Sequence, residues 1–527
     1  MIRPRSASRL LSLLPLALAT TLGACAADTD GTQESDLTSN TARSRSLTFE
    51  GYIYVEPTLS DQVILDRVHK QTQTMFGPLK NAEIGVNKRE LQGVDPASFQ
   101  KTEVEVVDTA NPDAPPVPMV RVRYRYEDMA VVPAGMSSRS ALSLALMHPE
   151  HWRQKDRILQ ECTSNDSHAQ EFASSIWYVF DPTLSRCQAA ITAEQEAIDA
   201  ENAKLDDPTL QVSQAEVDRL YIPTTIQLGP DETNVAPAYP EYDRLFRGGV
   251  EPGKLVIGMV NGLIDHDHDG GLHEDYGYRE FLRQLGHAMD GGPEYRITAV
   301  DPPEDLSTIT VGDVTLTDVT IHDIIAWETG NELPAGLGWG DRDALSEAVG
   351  QKIIKHWLTI EAPVEVTIGD EPPAPLTIKI NAYFGAESSS TPHKRAIRTS
   401  DVFVYNGHSY IGYGPLDPSR FSAADFPASY QIFFIDGCVT YNYYEADYIP
   451  LKEGGTQNLD LITNGLEAPS WRSGYALGRF LNLLVSGEQA SYNELLAAAS
   501  ATDELRVVDG ELDNRYSPEQ TPIRLSW

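Results

Sequence analysis

Two stretches of similar design, thirty positions apart, decide the fold of this chain. Residues 401–409 read Asp-Val-Phe-Val-Tyr-Asn-Gly-His-Ser, and residues 431–438 read Gln-Ile-Phe-Phe-Ile-Asp-Gly-Cys. Each is a short apolar run, typical of a strand buried on both faces, and each runs into glycine followed by a reactive side chain. Neighbouring parallel strands present their carboxyl ends at one edge of a sheet, where ligands bind. We therefore expect His408 and Cys438 to lie at one rim of a parallel sheet.

The sequence around these stretches alternates strands with helices, which is typical of an α/β domain. Further strands are predicted for the apolar runs 255–260, 376–384 and 459–463. Helices are predicted where apolar residues recur every three or four positions. These positions are Tyr278, Phe281, Leu282 and Leu285; Leu345, Val349, Ile353 and Trp357; Leu477, Phe480, Leu481 and Leu484; and Tyr492, Leu495 and Leu496. We predict a C-terminal α/β domain over residues 254–527, with a mainly parallel sheet flanked by helices.

A separate N-terminal α+β domain is predicted for residues 47–235. Strand-like alternation occurs at 48–55 and 119–126, and 187–205 is an acidic helical stretch. The Gly- and Pro-rich residues 236–253 predict a linker to the second domain. Nothing in the N-terminal domain has catalytic spacing, so a docking, propeptide-like or substrate-presenting role stays open.

The first 25 residues predict a signal peptide. A basic start is followed by an apolar run, residues 10–22, that is too short to span a bilayer. The run ends in Leu-Gly-Ala-Cys, which resembles a bacterial lipobox, and this resemblance implies that Cys25 is lipidated and becomes the new N-terminus. Ala26 after the cysteine implies sorting to the outer membrane. The alternative is an ordinary secretory signal that is cleaved nearby.

Residues 26–46 are rich in Asp, Thr, Ser and Gln and predict a flexible acidic tether. We therefore expect an exported protein in the cell envelope, held at the membrane by acyl chains such as palmitate. The formal net charge of −36 over 527 residues argues against nucleic acid and against polybasic contact with lipid. The expected partner is a peptide or protein, with membrane contact only through the lipid anchor.

The chain has four cysteines, and each has a predicted role. Cys25 carries the lipid, and Cys162 and Cys187 flank one compact segment and are natural disulfide partners in an oxidising compartment. That leaves Cys438. A single free cysteine in an exported protein is a buried inert thiol, an intermolecular link or a nucleophile.

Cys438 and His408 together have the chemistry of a cysteine hydrolase. A thiol is only a few per cent thiolate at neutral pH, and a nearby histidine raises the reactive fraction. Thiolate attack on a peptide carbonyl makes an oxyanion, for which the backbone N–H groups of Ser409 and Cys438 are the candidate donors. His408 would protonate the leaving amine. The alternative is that Cys438 is a small buried apolar residue and His408 one of twelve ordinary histidines.

This arrangement resembles the caspase-like superfamily of cysteine peptidases, which includes caspases, legumains, clostripain and the gingipains. In that superfamily one apolar block precedes the catalytic histidine and a second precedes the catalytic cysteine. The short interval between the two residues is closest to the gingipain-like and bacterial caspase-like branches. The resemblance covers about residues 255–500, including the strand that ends at 461–465, Trp471 and the helix up to Leu484.

The resemblance implies a caspase-like fold in which His408 is the general acid/base and Cys438 the nucleophile, with the Ser409 and Cys438 amides as the oxyanion hole. No organic cofactor is expected. Ser409 stands where many members have glycine, which keeps the backbone N–H. Asp436-Gly437 replaces the frequent Ala or Ser before the cysteine, and the carboxylate of Asp436 is expected to raise the pKa of the thiol.

We predict a cysteine endopeptidase with a Cys438–His408 dyad. The alternative belongs to another class: a surface lipoprotein that uses a degenerate, inactive caspase-like domain for binding or scaffolding. In that case the thiol of Cys438 would be inert and buried away from His408.

Residues 265–275, Asp-His-Asp-His-Asp-Gly-Gly-Leu-His-Glu-Asp, follow the first strand of the C-terminal domain. Aspartate at alternate positions before glycine is typical of a loop that wraps oxygen ligands around Ca²⁺. The predicted ligands are Asp265, Asp267, Asp269, Glu274 and Asp275. An intact EF-hand is excluded because Tyr276 occupies the twelfth position. His266, His268 and His273 keep Zn²⁺ or another transition metal open, and a solvated acidic loop without metal is the third alternative.

Overall fold

The computed structural model describes residues 37–111, 113–164, 167–265, 271–330, 332–386, 389–499 and 504–527. The predicted signal peptide, the lipidation site Cys25 and the tether up to residue 36 lie outside the described residues. Within the described ranges, no helix combines the length and the apolar character needed to cross a membrane.

The first part of the chain builds a curled, mostly antiparallel sheet with helices packed around it. Its strands are β1 (Leu37–Thr38), β2 (Ala42–Val55), β3 (Gly85–Val86), β4 (Gln100–Val107), β5 (Val117–Pro133), β6 (Ala141–Met147), β7 (Gln211–Ser213) and β8 (Tyr221–Leu228). Its helices are α1 (Asp61–Thr72), α2 (Phe76–Asn81), α3 (Lys155–Cys162), α4 (Ser167–Glu171), α5 (Ile176–Val179), α6 (Ser185–Asn202) and α7 (Gln214–Val217).

The N-terminal sheet has the order β6-β8-β2-β5-β4-β7, with β3 on β5 and β1 elsewhere. β2 and β5 pair antiparallel along fourteen positions and form its spine. The strands predicted at 48–55 and 119–126 are parts of these two long strands. Cys162 and Cys187 form the predicted disulfide, which joins α3 to α6.

The second part of the chain builds a larger sheet between two layers and, apart from it, a two-stranded sheet within residues 309–316. Its strands are β9 (Lys254–Gly262), β10 (Arg296–Asp301), β11 (Ile309–Val311), β12 (Val314–Leu316), β13 (Trp357–Ile368), β14 (Ala374–Ala386), β15 (Val402–Asn406), β16 (Gln431–Asp436), β17 (Leu459–Asn464), β18 (Arg506–Asp509) and β19 (Ile523–Ser526). Its helices are α8 (Tyr242–Phe246), α9 (Tyr276–Met289), α10 (Ile321–Thr329), α11 (Arg342–Ile353), α12 (Thr391–Thr399), α13 (Thr440–Tyr448), α14 (Ser473–Val485) and α15 (Tyr492–Ala499).

The ten-stranded C-terminal sheet is mixed. Its order is β1-β18-β17-β16-β15-β9-β14-β13-β10, with β19 also paired to β13. The central strands β14, β9, β15, β16 and β17 are mutually parallel, whereas the outer strands pair antiparallel. The prediction of a mainly parallel sheet therefore holds only for the centre, because the outer strands were not recognised in the sequence.

Both faces of this sheet are covered, which explains its continuous apolar strands. One face packs on α9, α11, α14 and α15 in the largest apolar core. The other face packs on α12, α13 and the N-terminal domain in a second core that both domains share. The two sheets are therefore in direct contact through buried side chains.

Two boundaries in the second part of the chain differ from those predicted. Trp357 starts β13 and packs on Tyr383 at 5.0 Å between ring centroids, so it does not continue helix α11, which ends at Ile353. Residues 242–246 of the predicted linker form α8, whose apolar side chains enter the core of the C-terminal domain.

The tether prediction is wrong for its last ten residues, 37–46. Leu37 and Thr38 form β1 on the edge of the C-terminal sheet, and β2 begins at Ala42. Between them, Ser39 Oγ donates to the carbonyl of Arg506 at 2.7 Å and accepts from the amide of Ala42 at 3.0 Å. Composition misled here because this polar side chain satisfies the backbone within the protein rather than in water.

Asp460 on β17 is a fully buried carboxylic acid, 0% exposed. Its Oδ2 accepts hydrogen bonds from the hydroxyls of Tyr430 and Tyr492 and from Asn514 Nδ2. Burial raises the pKa of Asp460 to about 7 despite these donors. The folded protein therefore holds this proton more tightly than the unfolded chain does.

We expect Asp460→Asn to flatten the pH dependence of stability. Asp460 has a raised pKa in the folded state, so its stabilising proton is fully bound below pH about 4 and is lost as the pH rises through about 7. Urea unfolding between these values should show wild type losing free energy of unfolding relative to D460N. Asp313→Asn, on the exposed turn between β11 and β12, is the control and should follow wild type. Parallel curves for wild type and D460N would contradict this assignment.

Candidate active site

The two stretches that end in His408 and Cys438 are neighbouring parallel strands, as predicted. β15 and β16 pair along their whole length, with Asn406 opposite Asp436. His408 and Cys438 each follow two residues beyond this last pair. The topology therefore delivers an imidazole and a thiol to the same end of two adjacent strands.

Glycine allows the two turns that follow these strands to touch. A Cβ atom on Gly437 would lie 2.9 Å from the carbonyl oxygen of Gly407, which is too close for any larger residue without a shift. The same position is 3.8 Å from the amide nitrogen of Ser409. The Ser409 amide nitrogen thus lies beside the turn that carries Cys438.

Both turns contain backbone in the left-handed region. Val439 follows the cysteine with φ 55°, and Tyr410 and Ile411 follow the histidine with φ 51° and 53°. β-Branched residues such as Val and Ile rarely adopt this conformation, and each instance costs on the order of 1–3 kcal/mol. The Val439 amide donates to the carbonyl of Leu466 at 2.9 Å, which holds the cysteine turn in place. Strain of this kind concentrates at functional sites.

One ring nitrogen of His408 contacts a main-chain carbonyl. His408 Nε2 lies 2.9 Å from the carbonyl oxygen of Ile264, in the loop after β9. A carbonyl oxygen only accepts, so Nε2 carries the proton and Nδ1 is the basic nitrogen of the neutral ring. Sequence reasoning missed this partner because a backbone carbonyl has no residue signature.

The backbone around His408 is held by two buried tyrosines. Tyr405 donates its hydroxyl to the carbonyl oxygen of His408 at 2.9 Å. Tyr444, on α13 after the cysteine turn, donates to the carbonyl oxygen of Ser409 at 3.1 Å. The histidine turn is thus tied both to its own strand and to the helix that begins after Cys438.

The surroundings of Cys438 favour the neutral thiol over the thiolate. Burial is the main cause that raises its pKa to about 11, and the carboxylates of Glu467 and Asp436 act in the same direction. At neutral pH the thiolate fraction would then be on the order of 10⁻⁴. The Cys438 Sγ donates to the carbonyl oxygen of Ala468 at 3.9 Å, so the proton is directed toward the 467–468 loop.

The predicted effect of Asp436 has the right direction but is a minor one. Asp436 is 3% exposed, and its Oδ1 accepts from Arg506 Nη2 at 3.0 Å and from Asn464 Nδ2 at 2.7 Å. Arg506 is itself buried and also donates to the carbonyl of Ala499 at 2.8 Å. The buried ion pair opposes the effect of this carboxylate on the thiol.

We expect Arg506→Met to destabilise the protein by about 3–5 kcal/mol, because it leaves the buried carboxylate of Asp436 without its cation. Chemical unfolding of R506M, D436N and the double variant measures this. The double variant R506M/D436N should be more stable than R506M, since it also removes the unpaired charge. Equal stability of the single and double variants would show that Arg506 acts through packing alone.

The predicted metal loop is described only in part, since Asp267 and Asp269 lie outside the described residues. Asp275 is buried, and its carboxylate accepts from the amides of Ile264, Asp265 and Gly277 at 2.7–3.2 Å. It thereby caps α9 and fixes the loop whose carbonyl binds His408.

Glu274 is exposed, with Oε1 3.9 Å from Nε2 of His273. In the part of the chain that is described, no three or more His, Cys, Asp or Glu side chains are grouped to hold a metal ion. Calcium binding therefore stays a prediction.

Comparison with known proteins adds no family to this picture. No family model, no curated protein and no solved structure matches the chain. The resemblance to caspase-like peptidases thus rests on the two strand endings and their surroundings.

Proposed function

We propose that this chain is a cysteine peptidase in which Cys438 is the nucleophile and His408 the general acid/base. The observation that carries the proposal is the pairing of β15 with β16, which places the Gly-His and Gly-Cys turns side by side. The left-handed residues in both turns and the fixed tautomer of His408 support it. An ordinary buried cysteine requires none of these features.

In the proposed reaction, these groups act in sequence. Nδ1 of His408 takes the thiol proton, and the sulfur of Cys438 attacks the carbonyl carbon of a peptide. The amides of Ser409 and Cys438 donate to the resulting oxyanion. The imidazolium, still bonded through Nε2 to Ile264, gives its Nδ1 proton to the leaving amine. Water then hydrolyses the thioester, and the thiol and the neutral histidine are regenerated.

A second function is favoured by one observation. Cys438 is partly buried, and desolvation raises the pKa of its thiol to about 11, as in an inert cysteine. A non-catalytic lipoprotein that binds a peptide or scaffolds another protein would have such a residue. The two functions differ in whether Cys438 is needed for hydrolysis.

The cellular location is part of the same proposal. We propose an exported protein anchored through lipid on Cys25 in the outer membrane. The disulfide Cys162–Cys187 supports export, because disulfides persist in oxidising compartments. The strongly negative net charge supports a protein or peptide partner rather than nucleic acid.

Cys438→Ala and His408→Ala should each abolish peptide hydrolysis while leaving thermal unfolding near that of wild type. The measurement is digestion of a mixed peptide library, followed by mass spectrometry of the new termini. His322→Ala, on the exposed face of α10, is the matched control and should cleave like wild type. Undiminished cleavage by C438A would contradict the assignment of Cys438 as a peptidase nucleophile. A wild type without cleavage would favour the binding protein.

We also propose that the 265–275 loop binds Ca²⁺ and that the ion orders the loop rather than taking part in chemistry. Millimolar Ca²⁺ should raise the midpoint of thermal unfolding relative to EDTA, and Asp267→Asn with Asp269→Asn should remove the shift. A shift with Zn²⁺ alone would favour the transition-metal alternative. No shift with either ion would leave a solvated acidic loop.

A further inference from the structure

The N-terminal domain packs directly on the turn that carries Cys438. Cys438 contacts the apolar core to which Phe76, Tyr178 and Tyr443 belong. Phe76 and Tyr178 come from the N-terminal domain, whereas Tyr443 lies on α13, five residues after the cysteine. Their rings stack, with centroids 5.3 Å apart between Phe76 and Tyr178 and 6.2 Å apart between Phe76 and Tyr443. A layer of residues from another part of the chain thus packs in the same core as Cys438, which stays partly exposed.

Polar contacts join the N-terminal domain to Glu467, in the loop whose next residue accepts from the Cys438 thiol. Lys80 Nζ lies 2.9 Å from Glu467 Oε1, and the Tyr178 hydroxyl donates to the same carboxylate at 2.8 Å. Lys80 also lies over the ring of Tyr178, 4.5 Å from its centroid. We call Lys80, Tyr178 and Glu467 the latch. Glu467 precedes Ala468, whose carbonyl accepts from the thiol, so the latch holds this loop against Cys438.

A second set of contacts reaches the histidine turn. Arg89 of the N-terminal domain donates to the carbonyl oxygen of Gly412 at 3.0 Å and pairs with Asp417 at 3.2 Å. Its guanidinium lies over the ring of Tyr413, 4.9 Å from the centroid. The N-terminal domain therefore contacts the segments that follow both His408 and Cys438.

We propose that the N-terminal domain is a built-in inhibitor of the Cys438 site, which it covers while the latch is closed and frees when the layer is displaced. The inference rests on the proposed peptidase function for its biological meaning. Glu467 is 39% exposed, so its pair with Lys80 alone contributes little net stability. Displacement of the layer is therefore opposed mainly by the apolar core that the two domains share.

The variant Lys80→Met, made in the full chain, distinguishes two effects of Lys80 on the alkylation rate of Cys438: its positive charge and its part in holding the layer in place. Lys80 lowers the pKa of Cys438, so loss of its charge alone would slow alkylation of the thiol. Opening of the layer would instead speed it. We expect alkylation of Cys438 by iodoacetamide to be about tenfold faster, the change in thiolate that one pKa unit makes. The rate is read at the Cys438 peptide by mass spectrometry, which separates it from Cys25.

Lys101→Met is the matched control, because Lys101 pairs with Asp61 on the exposed surface of the same domain. Its alkylation rate should equal that of wild type. Tyr178→Phe, which removes only the hydroxyl bond to Glu467, serves if K80M does not fold and should also speed alkylation. A rate in folded K80M or Y178F that is equal to or below the wild-type rate overturns the inhibitory cover.

Hydrolysis by the same variants separates this inference from the proposed function. Faster alkylation together with faster cleavage supports the inhibitor. Faster alkylation with no cleavage by wild type, K80M or Y178F overturns the peptidase and the inhibition with it, while the cover stands. Unchanged alkylation alongside cleavage that C438A abolishes keeps the peptidase and overturns the inhibitor.

Discussion

The parallel pairing of β15 with β16 is the constraint on which the candidate site depends. Side chains alternate along a strand, so a shift of one residue in this register would turn the two strand ends to different faces. The register is fixed because both strands are buried on both faces, by helices on one side and by the N-terminal domain on the other. The two turns then follow from this pairing, and glycine at 407 and 437 lets them approach.

The burial that fixes the two strands also disfavours the thiolate form of Cys438, which the proposed peptidase reaction needs. A thiol next to an apolar core is held as the neutral acid, and here its neighbours include the carboxylates of Glu467 and Asp436. The fold limits the second of these by pairing Asp436 with Arg506. The rest of the rise in the pKa of Cys438 comes from desolvation. Part of the apolar core beside the thiol belongs to the N-terminal domain. The raised pKa of Cys438 thus has burial as its main cause, and the charges of its sequence neighbours contribute less.

The amino-acid sequence predicts those parts of the fold whose signal is local. Continuous apolar runs located β9, β14, β15, β16 and β17, and cysteine spacing located the disulfide. It misplaced Trp357 because an aromatic residue fits both a helix face and the start of an alternating strand. β1 was missed because a strand of two residues is too short to show the alternation of apolar and polar side chains.

The candidate site shows the same division between local and long-range information. His408 and Cys438 are visible as strand endings, whereas the Ile264 carbonyl and the Lys80–Glu467 contact join segments far apart in the chain. The local sequence of a segment does not indicate which distant segment it contacts. The sequence could predict that His408 and Cys438 lie at the same end of two strands. It could not predict which residues of the N-terminal domain pack beside them.

β1 changes how the first domain is connected to the second. The chain leaves the edge of the C-terminal sheet at Thr38, builds the whole N-terminal domain, and returns to Asn234, whose Nδ2 donates to Thr38 Oγ1 at 2.8 Å. Topologically the N-terminal domain is an insertion whose two ends meet at one point. The only covalent connection between the two domains runs through the segment after Leu228, so a cut at 229–235 would leave them joined by side-chain packing and by the two-residue pairing of β1 with β18. Both connections lie on the same side of the N-terminal domain, where Thr38 meets Asn234.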